Sequence, residues 1–221
     1  MNDADAVPLP TGSMGLQTGL ASLLDRRRSR RAFGRKGIAL QDLARVLWSG
    51  SGRRSGAGRV VPSAHGLHQL SITVLAGNVS DLSAGAYLYG PEDHQLQVGT
   101  HGDHRDAIAA TTLVDREWSA TAAALLVVTA DLDVLNTHFA DQPPHGLRGE
   151  RYAWLEAGHI SQSIYLAATD LDLAVVLIAG FDDDRLSAVT TSLVPTLPRG
   201  SRAVAIIALG EPEEEAGERG R

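Results

Sequence analysis

Three short stretches of this chain are apolar at nearly every position: Ala122–Ala130 reads AAALLVVTA, Ala174–Phe181 reads AVVLIAGF, and Arg202–Gly210 reads RAVAIIALG. A strand with one wet face alternates apolar and polar residues. These do not alternate, so a strand built from any of them must be covered on both faces. None approaches the roughly 20 apolar residues that a membrane-spanning helix needs. The runs therefore demand a central sheet with helices packed on it, an α+β architecture.

The rest of the chain supplies those helices. Residues 38–52, IALQDLARVLWSGSG, place Leu40, Leu43, Leu47 and Trp48 at helical spacing, and glycines then stop the pattern. Residues 151–173 form a longer helical pattern in which Trp154, Leu155, Gly158, Gln162, Tyr165 and Leu166 share one broad side. Leu23 to Arg31 reads as the end of a short helix running into an extended turn, and residues 103–113 read as another helix. QLSITVLAG at 69–77 reads as a strand and GAYLYGPEDHQLQV at 85–98 as a hairpin turning at PED. Asp182, Asp183 and Asp184 suit a helix N-cap and first turn. DLDVLNTHFADQPPHGLRGE begins as a helix and ends as a loop broken by proline and glycine. The expected divisions are a flexible arm at 1–18, one domain at 19–212 and a charged tail at 213–221.

Composition narrows the chemistry. With no cysteine, disulfides and thiolate catalysis are excluded. A formal net charge of -6 over 221 residues argues against a general nucleic-acid binder. Neither a signal peptide nor a membrane span is read, so a cytoplasmic protein is expected. Against the acidic balance stands DRRRSRRAFG at 25–34, where Arg26 to Arg31 are all arginine except Ser29. Such a run is commonly a solvated face; its alternative is an anion site, because guanidinium forks match phosphate oxygens and never lose their charge. Glu156-x-x-His159 and His101-x-x-His104 lack the further ligands that a metal centre requires.

Four separated pieces then fall into order: DRRRSRRAF, VVPSAHGLHQL, RGERYAWLEAGHISQSIYLAATDLDLAVVLIAGFDDD and LPRGSRAVAIIALGEP. Together they resemble the nitroreductase-like flavoproteins, and within them the SagB-type dehydrogenases that oxidise thiazolines and oxazolines. The resemblance spans roughly residues 19–212. It implies a central mixed sheet flanked by helices, in a domain-entwined homodimer with FMN at the subunit interface. The family's R-x-S-x-R pattern falls on Arg27, Ser29 and Arg31, with Arg28 beside them; these would hold the phosphate, ribityl chain and ring edge. Pro62, Ser63 and Ala64 match the family segment that lets the flavin approach. Ala179 and Gly180 fall where a backbone N–H is expected to meet the ring, with Gly180 permitting close approach. Arg199 and Arg202 match positions that often add phosphate contacts.

The chain departs from the azoline dehydrogenases at one point. Their Lys-Tyr pair precedes an R-G-x-R segment, here Arg148–Arg151, and its positions fall on Pro144 and His145. Dehydrogenating an azoline needs a base, and neutral imidazole is competent near pH 7. His145 is the candidate replacement and His138 the runner-up. The resemblance thus leaves several readings: an FMN-dependent dehydrogenase of a peptide-derived or carrier-bound substrate, an NAD(P)H-dependent nitroreductase-like enzyme, or a non-catalytic flavin subunit of a modifying complex.

Overall fold

The structure is a computed structural model that describes residues 18–213. The arm expected at 1–18 and the tail expected at 213–221 therefore lie outside the described residues, except at Thr18 and Glu213. Along the chain come α1 (Thr18–Arg26), β1 (Ile38–Ala39), α2 (Leu40–Ser51), a 3-10 turn (Ala64–Gly66), β2 (Leu70–Ala76), β3 (Val79–Ser80), β4 (Gly85–Gly90) and β5 (Gln95–His101). They are followed by α3 (Arg105–Ala109), α4 (Arg116–Ser119), β6 (Ala124–Asp131), α5 (Leu132–His138), α6 (Arg148–Asp170), β7 (Ala174–Ile178), α7 (Asp183–Leu193) and β8 (Ser201–Gly210).

Six strands form the central sheet in the order β5-β4-β2-β6-β8-β7. The α+β class is as expected, but every neighbouring pair in this sheet is antiparallel rather than mixed. The connectivity explains it. β6 and β7, joined by α5 and α6, do point the same way, yet β8 lies between them and opposes both. The small pair β1–β3 is parallel and stands apart.

The apolar runs behave as their pattern demands. Leu126 and Val128 of β6, with Ile207 and Leu209 of β8, pack with Leu43 and Leu47 of α2 and Ile160 and Ile164 of α6. Their neighbours Leu125, Val127, Ile206 and Ala208 pack on the other face with Ile108 of α3 and Leu186 of α7. Successive side chains alternate between faces, so a strand covered twice must be apolar throughout.

Two element ends differ from the sequence reading for visible reasons. The helix expected over 103–113 stops at Ala109: the hydroxyls of Thr111 and Thr112 bond back to the carbonyls of Ile108 and Ala109, and Leu113 N–H then donates to Gly180 O at 2.9 Å. α6 starts three residues before Arg151 because Gly149 fits closely under α5; a Cβ there would sit 2.5 Å from Asn136 N and Leu135 C. At α7 the Asp182 carboxylate accepts from Arg185 N–H at 2.9 Å, the expected cap. Among the described residues no helix is long and apolar enough to cross a membrane, and no three potential metal-ligating side chains gather.

Candidate functional site

The arginine run is the exit from α1. Arg27 N–H closes the last helical turn on Leu23 O, and Arg30 N–H donates to Val175 O at 3.0 Å, laying the segment along β7. In extended chain, alternate residues face opposite ways. One set reaches α6. The Arg27 guanidinium lies 5.4 Å from the centre of the Tyr165 ring, and Ser29 Oγ is 3.0 Å from Tyr165 Oη, either hydroxyl being able to donate. Tyr165 Oη also accepts from Leu177 N–H at 2.8 Å. One phenol thus ties the Arg27–Ser29 face to the end of β7, just before Ala179 and Gly180. Arg31 is exposed. Arg28 faces the other way with Arg26 and Arg30, donating to the carbonyls of Asp25 at 2.6 Å and Arg27 at 3.0 Å.

Gly180 shapes the space beyond β7. Its carbonyl accepts from Leu113 N–H, and a Cβ there would meet only Leu113 Cδ1, at 3.9 Å. The backbone is therefore open to a flat ligand on that side.

A second cluster surrounds the turn after Pro62. Glu156 of α6, buried to 5% exposure, accepts from Ser63 Oγ at 3.0 Å and from Ala64 N–H at 2.7 Å. Ser63 Oγ in turn accepts from His68 N–H at 2.9 Å. Within this clamped turn His65 is left-handed, at φ 51°. Its Nδ1 lies 3.0 Å from Nε2 of His138, at the end of α5, and the rings meet edge to face with centroids 5.2 Å apart. An N···N hydrogen bond needs one N–H and one lone pair, so one ring donates and the other accepts. His145 stands apart on the following loop, exposed, with Nδ1 3.1 Å from Ala140 O. Donation to that carbonyl leaves Nε2 as the acceptor. His68 has its pKa lowered, first by burial and then by the Arg59 guanidinium, with Glu156 and Glu92 opposing.

Arg199 and Arg202 join neither cluster. Arg199 is exposed. Arg202 pairs with Asp184 at 2.8 Å and lines a groove of about 480 Å³ with Asp133, Glu150 and Trp154.

The clusters occupy opposite sides of one helix. Tyr165 follows Glu156 by nine residues in α6, about 13.5 Å along the axis and about half a turn around it. The sequence reading named none of Glu156, Tyr165 and His65 as a cofactor or catalytic residue; their bonds join segments far apart in sequence. A signal was present for Glu156, which lies inside the Leu155–His159 motif.

Comparison with known proteins places these features in a family. The model described as Nitroreductase family matches residues 24–211. MJ1384 of Methanocaldococcus jannaschii, which is named among the nitroreductases, is 30% identical over 174 residues, covering 76% of this chain and 81% of its own. A nitroreductase-type protein of Anabaena variabilis superposes with a TM-score of 0.72 at 26% identity. That match covers 88% of this chain but only 38% of the Anabaena chain. The microcin synthetase McbBCD of E. coli, solved with truncated pro-MccB17 bound, gives 0.71 at 17% identity, covering 96% of this chain and 77% of the other. A nitroreductase-type protein of Desulfovibrio desulfuricans in complex with FMN gives 0.57 at 18% identity, covering 93% and 91%.

Proposed function

The chain belongs to the nitroreductase family, and from that premise we propose that it is an FMN-dependent oxidoreductase of the SagB type, dehydrogenating an azoline or related C–N bond in a peptide-derived substrate. One observation carries the reading: two clusters suited to a flavin, at Arg27–Ser29 and at Ser63–Ala64, lie on opposite sides of α6. A single copy does not wrap one small ligand with both. Two copies, each offering one cluster to the other's, supply a complete site. The exposed Trp154 and Leu155 on α6, at 52% and 56%, provide apolar surface for such a homodimer.

The residues present fit the cofactor. Arg27, Ser29 and Arg31 offer the charged and neutral donors that a phosphate and ribityl chain take, and Gly180 leaves its backbone open to a planar ring. When bound, FMN supplies a ring able to take up a hydride. The chain's own part is binding, orientation and proton handling. The Tyr165 hydroxyl fixes Ser29 against β7. Glu156 fixes the Ser63–Ala64 turn. A substrate proton is taken by imidazole: His145 through its open Nε2, or His138 through its link to His65. The pro-MccB17 bound in the McbBCD complex supports a peptide-derived substrate.

A second reading is favoured by the kinship to MJ1384 and by the absence of the Lys-Tyr pair: an NAD(P)H-dependent reductase of nitro or quinone compounds. One preparation separates them. The purified protein is expected to be yellow and to release FMN on denaturation; a colourless protein that takes up no FMN on reconstitution ends both readings. Rapid bleaching by NADH under argon selects the reductase. Indifference to NADH, with oxygen-dependent oxidation of a thiazoline-containing peptide, selects the dehydrogenase. A yellow protein inactive in both assays fits the non-catalytic subunit of a modifying complex.

A further inference from the structure

The arginine run has a second face. A groove of about 390 Å³ is lined by Arg26, Arg28 and Arg30, by Thr169, Asp172 and Leu173 at the end of α6 and just beyond it, and by Pro212. Three guanidiniums and one carboxylate leave this lining with an excess of two positive charges. Arg26 Nη1 pairs with Asp172 at 3.2 Å. Arg28 spends Nη1 on the carbonyls of Asp25 and Arg27. Among the described residues the Nε–Nη2 edges of both have no protein partner, and the Arg30 guanidinium has no carboxylate partner. The Thr169 hydroxyl already donates to Tyr165 O at 2.7 Å. The guanidiniums are therefore the donors that the groove's side chains have to offer.

Several guanidinium forks around one space suit a phosphate. A carboxylate presents two oxygens and a single negative charge. A phosphate monoester presents three oxygens and about −1.5 to −2 charges at pH 7. It can take forks from more than one arginine, and its charge matches the excess in the lining. The groove is also larger than a bare ion needs. Its volume falls in the range of small-molecule sites, and Leu173 and Pro212 give it an apolar part against which an organic body can pack.

We propose that this groove binds a small phosphate monoester, separately from the Tyr165 side of the same segment. Arg27 and Ser29 reach Tyr165, while Arg26, Arg28 and Arg30 hold phosphate oxygens in the groove. The two sites share a stretch of backbone but no arginine. The proposal stands on charge, fork geometry and volume, and does not depend on the flavin reading.

The test uses the full chain as purified, with adenosine 5′-monophosphate as the probe, followed by isothermal titration calorimetry at low salt. Adenosine, inorganic phosphate and succinate are titrated in parallel. The full chain should bind the nucleotide saturably, inorganic phosphate more weakly, and adenosine and succinate not measurably. Arg28→Ala with Arg30→Ala should weaken nucleotide binding at least about tenfold, equivalent to about 1.4 kcal/mol of lost charge-assisted hydrogen bonding. Arg28→Lys with Arg30→Lys keeps the charge but loses the forks and should fall between the two. Arg27→Ala with Arg31→Ala should bind as the native chain does. Circular dichroism confirms that each variant is folded. Undiminished binding by the Arg28 and Arg30 alanine variant overturns the proposal. So does loss of binding in the Arg27 and Arg31 variant, which moves the nucleotide to the Tyr165 side. Binding of adenosine or succinate as tight as that of the nucleotide overturns the choice of phosphate. Inorganic phosphate binding as tightly as the nucleotide overturns the ester and leaves a bare anion site.

Discussion

Glu156 offers the sharpest test of how the Ser63–Ala64 turn is held. Its buried carboxylate accepts two bonds, from Ser63 Oγ and Ala64 N–H. Hydrogen bonds to a charged group contribute about 1.5–3 kcal/mol each, neutral ones about 0.5–1.5. Glu156→Gln keeps an acceptor of the same shape but removes the charge, at about 1 kcal/mol per bond. The cheaper burial of a neutral amide offsets part of this, leaving a net loss of about 1.5 kcal/mol. Glu156→Leu removes both acceptors and strands the Ala64 N–H, costing about 3 kcal/mol. In urea unfolding at pH 7, an m-value of about 2 kcal/mol/M turns these losses into midpoint shifts of about 0.7 M and 1.5 M. The slopes should not change. If the Leu variant unfolds at the native midpoint, the carboxylate does not hold the turn and the assignment of Glu156 is wrong.

Other outcomes follow from the same geometry. Arg27→Ala with Arg31→Ala should abolish FMN retention in gel filtration while leaving the circular dichroism melt unchanged; a yellow double variant removes these side chains from the site. Gly149→Ala puts a Cβ 2.5 Å from α5 backbone, so α5 must shift, and a loss of about 1–3 kcal/mol is expected in the same urea assay. His145→Ala and His138→Ala should each keep flavin, and the one that loses turnover of a thiazoline peptide identifies the base; full turnover in both rules out either histidine. His68 has a lowered pKa, so the unfolded chain binds its proton more readily. Its contribution to stability is present above about pH 6.5 and is lost as pH falls through the folded value. His68→Asn, which tolerates the left-handed backbone at φ 51°, should reduce the drop in urea midpoint between pH 7.5 and pH 5; an unaltered drop assigns that dependence to other groups.

The sequence by itself determined the layers. Runs such as Ala122–Ala130 and Arg202–Gly210 have too few polar residues for a wet face, so a doubly covered sheet follows from local pattern and burial alone. The Asp182 cap was legible for the same reason, since a cap is satisfied within one helical turn. The arginine run was legible as a concentration of charge, but its division into two faces needed the backbone path between α1 and β7. Only the tertiary structure decided that β8 lies between β6 and β7, which makes the sheet antiparallel, because strand order depends on how helices cross and not on any residue in the strands. Only it joined Glu156 to Ser63, Tyr165 to Ser29 and His65 to His138. Those bonds link groups 73 to 136 residues apart, and a local pattern carries no information about which distant polar group will satisfy a buried one.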